Sequence, residues 1–307
     1  MTPGDDERQA VLSVGRIYCD LIFTGLERMP VLGREVFADQ LTIAAGGGAF
    51  ISAAHFVRAG RHAALVGRLG HDSLSSSIEG QLAAGGIDLA FLERADDAGP
   101  QVTVAAVLKS ERAFLTKRAG PAEPATLEAA LSWPKAGHLH IAEYATLAEM
   151  PDLVTRAKAE GLTVSLDPSW DDQLIGDPCL LEACRGVDLF LPNIEEARAI
   201  SGVGEPEAMG ARLAEHFPVV AIKAGGEGAY LATSALFCHA PAEPVSVVDT
   251  TGAGDAFNAG FVDAWLKGED LPLCMAAAIR TGSRAVQVAG GAGAPVAEEI
   301  SASAGRP

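Results

Sequence analysis

Positive charge is scarce in this chain. Its 307 residues carry 23 Lys and Arg against 40 Asp and Glu, a net charge of −17. That balance argues against nucleic acid or an anionic membrane surface as a partner. It does not exclude a phosphate ligand, because backbone N–H groups and one lysine can make a local positive site. Cysteine is sparse as well. Cys19, Cys179, Cys184, Cys238 and Cys274 make an odd set with no Cys-x-x-Cys pair and no zinc-like spacing. We expect isolated buried thiols in a reducing cytoplasm. No run is long and apolar enough to span a bilayer. Residues 1–7 are acidic and polar and lack the basic start and apolar run of a signal peptide, so the expected location is cytoplasmic. No internal repeat or low-complexity linker interrupts the sequence. The string Gly-x-x-x-x-Gly-Lys-Ser/Thr is missing, which argues against a P-loop nucleotide hydrolase.

What is there begins with material for a core. Hydrophobic residues make up 49% of the chain and charged residues 21%, enough for one large α/β domain or two small ones. From residue 137 onward, apolar runs and helical patterns alternate with short connections. Residues 138–142, 162–167 and 187–191 read as strands, and 147–160 as a helix. That rhythm predicts a parallel sheet with helices on both faces. In such sheets ligands gather at the carboxyl ends of strands, where Glu143, Asp167 and Asn193 fall.

The most informative stretch is Val247-Val248-Asp249-Thr250-Thr251-Gly252-Ala253-Gly254-Asp255-Ala256-Phe257. Val245, Val247 and Val248 suit the buried end of a strand. Phe257, Phe261 and Trp265 then share one helix face, and Lys267-Gly268 supplies a basic last turn and a cap. A glycine turn opening onto a helix N-terminus is an anion site. Asp255 stands at its edge. Taken alone it is either a first-turn acid favoured by the helix dipole or a base for a hydroxyl attacking phosphorus.

The whole string resembles the second signature of the ribokinase-like (PfkB) family of carbohydrate and nucleoside kinases. The resemblance spans nearly the whole chain and implies a doubly wound α/β fold, mostly parallel, flanked by helices and carrying a small β-sheet lid. It implies a single domain over 1–307, with lid inserts at about 16–43 and 98–118. It also implies an anion hole at Gly252, Ala253 and Gly254, with Asp255 as catalytic base. Asp249 and Thr251 would bind K⁺, as in several relatives.

Other segments fit the same family in order. Ala10 to Gly15 reads as a first strand, followed by extended Arg16 to Phe23, and residues 33–43 read as another strand. Asp20 sits where the family places a sugar-binding carboxylate. Gly46 and Gly47, at a helix start, resemble the first signature, which contacts the sugar. Ile51 replaces the asparagine usual there, and Tyr18 stands where ribokinase has an asparagine, so both argue against ribose. Glu143 is a further candidate substrate contact. Asp167 is followed by Pro168-Ser169-Trp170 rather than the arginine of many sugar-acid kinases, which argues against an acidic sugar. Asp72 is read as a helix cap, and residues 100–118 as a hairpin turning at Lys109-Ser110-Glu111. Arg112, Lys117 and Arg118 cluster in that hairpin as solvated lid residues.

Asn193-Ile194-Glu195-Glu196 reads as a capping box. In the family, Asn193 also approaches the nucleotide phosphates and Glu196 orders water around Mg²⁺. Lys223, Gly225 and Gly228 match the family's nucleotide edge. A helix over about 273–288 and the run Gly290-Gly291-Ala292-Gly293 would close the adenine side, with Ile279, Arg280 and Thr281 all candidates to face the base. Residues 301–307 read as a frayed tail.

The expected activity is therefore transfer of the γ-phosphoryl group of ATP, with Mg²⁺ and in some relatives K⁺, to a primary hydroxyl of a sugar. A nucleoside kinase and a non-catalytic sugar or nucleotide sensor are the alternatives. A homodimer through the lid is the expected assembly.

Overall fold

A computed structural model describes residues 8–109, 111–288 and 290–292. The acidic start at 1–7, Ser110, Gly293 and the tail at 301–307 lie outside the described residues. The strands are β1 (Ala10–Val14), β2 (Tyr18–Thr24), β3 (Gln40–Gly46), β4 (Ala63–Leu69), β5 (Leu92–Arg94), β6 (Gln101–Leu108), β7 (Glu111–Lys117), β8 (Ala136–Ile141), β9 (Thr163–Leu166), β10 (Leu189–Phe190), β11 (Val219–Lys223), β12 (Ala229–Ala232) and β13 (Phe237–Ala240).

Nine of these form one sheet in the order β13-β12-β11-β10-β9-β8-β1-β4-β5. From β11 to β5 the pairs are parallel, and β12 and β13 continue the edge antiparallel. A parallel sheet is covered on both faces, so its strands are apolar throughout rather than alternating. Every residue of β1 is buried. Val11 joins the hydrophobic cluster on one face, while Leu12 and Val14 join the cluster on the other. This is the doubly wound architecture expected from the sequence.

The remaining four strands form a separate sheet, β3-β2-β6-β7. Here β2 pairs antiparallel with β3 and parallel with β6, and β6 and β7 form the expected hairpin. Three expectations need correction. The strand expected over 33–43 runs instead as Gln40–Gly46, after a short Val31–Arg34 bridge. The helix expected over 147–160 is two helices, Tyr144–Glu149 and Leu153–Ala159. Pro151 lies between them; it has no N–H to continue a helix and disfavours helical angles in the residue before it. Finally, Val245, Val247 and Val248 belong to no strand, and Val247 and Val248 are 62% and 64% exposed. β-branched residues favour a strand only where a neighbour is available to pair with them.

Candidate active site

The carboxyl ends of the parallel strands deliver the site. Glu143 follows β8, Asp167 follows β9, Asn193 follows β10 and Lys223 ends β11. Opposite them begins the helix Ala253–Leu266, with Gly252 as its N-cap in a left-handed conformation at φ 74°. A Cβ on Gly252 would stand 2.6 Å from the Gly291 Cα, so two backbones pass here where no side chain fits. The first helical bond runs from Ala256 N–H to Gly252 O at 2.9 Å. The N–H groups of Gly254 and Asp255 precede it and have no partner within the helix. The Ala253 N–H, by contrast, already donates to Thr250 O at 3.3 Å.

Asp255 lies in the first turn of this helix. Ser52 Oγ donates to its Oδ1 at 3.4 Å. Enclosure away from water pushes the Asp255 carboxyl from its ordinary 3.8 up to about 7, with the negative charge of Asp167 adding and Lys223 opposing. Glu196 is raised by the same causes, burial first and then Asp167, to about 7. Its capping box is complete. Asn193 Oδ1 accepts from the Glu195 and Glu196 N–H groups at 2.9 Å, and Glu196 Oε2 accepts from the Asn193 N–H at 2.7 Å. Asp72 is a cap as expected, accepting from the Leu74 and Ser75 N–H groups.

Two cavities meet at this point. One, of about 570 Å³, is lined by Gly228, Val245, Val247, Thr250, Phe257 and Ile279 among others. Of Ile279, Arg280 and Thr281, Ile279 lines this cavity. Val245 and Val247, which form no strand, are part of this apolar wall. The other cavity, of about 380 Å³, is lined by Tyr18, Glu143, Asn193, Glu196 and Asp255 among others. Lys223, Gly225 and Gly254 line both.

Beside the second cavity, Tyr18 Oη donates to Glu143 Oε2 at 2.8 Å. Glu143 Oε1 is occupied too, by Thr146 Oγ1 at 2.7 Å and the Arg16 N–H at 3.2 Å. Glu143 therefore orients Tyr18 while still lining the cavity, its Oε2 accepting one bond. The ring rests against Gly47, whose φ is 94° and whose hypothetical Cβ would meet Tyr18 Cδ1 at 2.9 Å. The Asp20 carboxyl, two residues along β2, accepts no hydrogen bond from the described residues, and burial lifts it to about 6. Gly46 pairs with Tyr18 across β2 and β3.

Ile51 does not join this group. It is 6% exposed, belongs to the hydrophobic core and packs its Cδ1 against Gly291. Asp249 and Thr251 are together as expected: Asp249 Oδ1 accepts from the Thr251 N–H at 3.0 Å and Thr251 Oγ1 at 2.8 Å. The other carboxylate oxygen accepts from the Gly290 N–H at 3.1 Å. Arg112 of β7 brings its guanidinium to 3.7 Å from the same Asp249. Arg118 pairs with Asp171 at 2.6 Å. Ser52, Asn258 and the Arg112–Asp249 pair carry no short-range sequence signal.

Among the described residues no group of three or more His, Cys, Asp or Glu could hold a metal ion, and no helix is long and apolar enough to cross a membrane. None of the five cysteines forms a disulfide. Cys19, Cys184 and Cys274 are buried and Cys238 is half-buried, but Cys179 is exposed, against expectation.

Comparison with known proteins identifies the family and the fold. Residues 8–297 match the pfkB family carbohydrate kinase profile. The chain is 29% identical over 305 residues to the ATP-dependent ribose-1-phosphate kinase of Halopiger xanaduensis, covering 95% of this chain and 97% of that one. It is 32% identical over 241 residues to a fructokinase of Klebsiella pneumoniae, covering 72% and 76%. Its fold matches that of Arabidopsis thaliana ribokinase complexed with ribose and ATP, with a TM-score of 0.81 at 22% identity over 93% and 95% of the two chains. With a family match along almost its full length and relatives that phosphorylate sugars, the chain belongs to the pfkB family and is an ATP-dependent carbohydrate kinase.

Proposed function

We propose that the protein transfers the γ-phosphoryl group of ATP to a primary hydroxyl of a sugar or sugar-like acceptor, with Asp255 as general base. The observation that carries this reading is the junction of the two cavities at Lys223, Gly225 and Gly254, with Asp255 lining the acceptor side. ATP takes the larger cavity, its base against Ile279 and its phosphates near Gly225, Gly228, Thr251 and Asn193. The acceptor takes the smaller one, held by Asp20 and the Gly46-Gly47 backbone, with the ring of Tyr18 beside it.

In the reaction the acceptor oxygen attacks the γ-phosphorus and its proton passes to Asp255. The bond from γ-phosphorus to the β,γ-bridging oxygen breaks, and ADP leaves with that electron pair. The N–H groups at the Gly252–Gly254 turn receive the charge that develops on the migrating group. Positioning and electrostatics together are what phosphoryl transfer requires.

Mg²⁺ fits as an ion carried by the nucleotide. It keeps several waters and neutralises phosphate charge. Glu196, with Oε2 committed to its cap, offers Oε1 to such a water. K⁺ is a weaker fit, because both oxygens of Asp249 already accept hydrogen bonds and Arg112 lies beside one of them.

In this reading the small sheet is a lid on a single α/β domain spanning 1–307, its strands supplied by inserts at about 16–43 and 98–118. The reaction is cytoplasmic, and two copies of the chain dimerise through the lid. An ATP-consumption screen across sugars, sugar phosphates, sugar acids and nucleosides tests the acceptor class. Turnover restricted to nucleosides would overturn the sugar assignment in favour of a nucleoside kinase. No turnover with any acceptor, alongside intact nucleotide binding, would favour a sensor.

A further inference from the structure

Lys223 is more deeply engaged than a nucleotide-edge residue needs to be. Its ammonium, on a side chain 12% exposed, is ion-paired to Asp167, whose side chain is 10% exposed. It also donates to Asn258 Oδ1 at 3.2 Å. Asn258 closes the ring by donating from Nδ2 to Asp167 Oδ2 at 2.6 Å. Asn258 is fully buried, one turn beyond Asp255 on the same helix. The three residues come from the end of β9, the end of β11 and the helix Ala253–Leu266, so the ring ties the sheet to the anion-site helix.

An ammonium has three N–H groups. Two are directed to Asp167 and Asn258, and the third has no partner among the described residues. The group stands close to the Gly254 backbone, 3.6 Å from where a Cβ would be. Lys223 also lines both cavities. A phosphoryl group passing from one cavity to the other has to cross this point.

We infer that Lys223 contacts the migrating phosphoryl group in the transition state, and that Asn258 and Asp167 are positioning residues holding its ammonium at the junction of the two cavities. Asp167 alone would draw the ammonium fully onto itself. Asn258 occupies one lone pair of that carboxylate and offers the ammonium a second acceptor, so the cation is shared and its remaining N–H is left for phosphate oxygens. A lysine binds phosphate as a point charge, so where it is held decides what it can stabilise.

This inference rests on the reading of Asp255 as base, and the test separates the two. The enzyme and its Lys223→Met, Asn258→Leu and doubly substituted forms are compared with the best acceptor found. Lys223→Met should lower kcat by roughly 10²–10³-fold, the scale for losing one preorganised donor to developing charge. Asn258→Leu should lower kcat at least about tenfold with acceptor KM little changed, the pattern of an interaction made only in the transition state. The double variant should be no slower than Lys223→Met, because Asn258 acts only through Lys223. The acid limb of the Lys223→Met pH profile should also move upward, since the cation opposing protonation of Asp255 has gone.

Independent, multiplying losses in the double variant would reduce Asn258 to a packing role and overturn the inference. So would kcat within about twofold of wild type for Asn258→Leu, a difference too small for the shared-cation role. If Lys223→Met fails to fold with Asp167 left unpaired, Asp167→Asn/Lys223→Met removes the buried pair together and is measured instead. Asn258→Ser replaces Asn258→Leu on the same grounds. Full turnover in Asp255→Asn would sink the reading of the base itself. Loss of turnover there, with normal Asn258→Leu kinetics, would sink this inference alone.

Discussion

Tyr18 Oη donates to Glu143 Oε2 at 2.8 Å, joining the first strand of the small sheet to the end of β8 in the large one. Burial and the Glu143 charge raise the tyrosine's pKa, so it stays a hydrogen-bond donor at any physiological pH. An aromatic ring is thereby fixed at the smaller cavity, with Glu143 holding it there. A site that hydrogen-bonds a hydroxyl rejects ligands without it far more strongly than an apolar wall discriminates. We expect the wild type to use ribose poorly relative to a deoxysugar or a nucleoside, and Tyr18→Asn to shift the kcat/KM ratio toward ribose. Efficient ribose phosphorylation by the wild type would contradict this.

Ile51 belongs to a different prediction. Sequence resemblance put it in the acceptor pocket, but its side chain lies in the core against Gly291. Ile51→Asn would bury an amide with no ready partner and should cost about 1–3 kcal/mol of stability. Thermal unfolding of this variant should show a clear loss in Tm, with no change in acceptor preference in whatever fraction remains folded. A changed preference at unchanged Tm would return Ile51 to the pocket.

The elements that the sequence made legible are those specified locally. The capping box at Asn193 and Glu196 lies within four residues, and the structure forms it completely. The alternation of strand and helix fixed the parallel sheet because each strand needs cover on both faces. Tyr18 and Glu143 are 125 residues apart, and Asn258 and Asp167 are 91 apart. No periodicity links such pairs; only the fold brings them together. Val247 and Val248 show the converse error. Their composition suits a strand, but no neighbouring strand pairs with them, and Val247 lines the larger cavity instead.

Arg112 makes the K⁺ question testable. Its guanidinium stands 3.7 Å from Asp249 Oδ1, on side chains 44% and 23% exposed, so the pair itself contributes little to stability. It does place a cation where K⁺ would compete. Replacing K⁺ by a large organic cation should change wild-type turnover little, whereas Arg112→Ala should become K⁺-stimulated. Strong K⁺ activation of the wild type would show that Arg112 does not occupy that role.

Leu32 and Phe37 in the loop joining β2 to β3 are 101% and 81% exposed, and Phe114 and Leu115 on β7 are 64% and 73% exposed. Exposed large apolar side chains on the small sheet and its β2–β3 loop are where we expect the proposed lid dimer to form. Sedimentation should give a particle of twice the 31.6 kDa chain mass, and Phe37→Glu/Phe114→Glu should return it to one. A wild type that sediments as a single chain at micromolar concentration would rule out the lid dimer.

The pH dependence follows from two raised carboxyls. Asp255 goes from 3.8 to about 7 and Glu196 from 4.5 to about 7, both chiefly through burial and the neighbouring Asp167. Asp255 accepts a proton only when ionised, so turnover should fall as pH drops through about 7. If Glu196 must also be ionised to order water near Mg²⁺, log kcat should fall with a slope approaching about two, and Glu196→Gln should reduce it to about one. The stability contribution has the opposite sense. A carboxyl raised on folding adds stability that is fully present below its unfolded value, near 4, and lost as pH rises through about 7. Asp255→Asn has no such proton to lose. Its Tm should therefore fall less than that of the wild type between pH 5 and 8, while its kcat should be down roughly 10²–10⁴-fold, the range for a positioned general base, with nucleotide binding intact. A wild-type kcat that stays flat from pH 8 down to 5 would mean that Asp255 is neither raised nor the base.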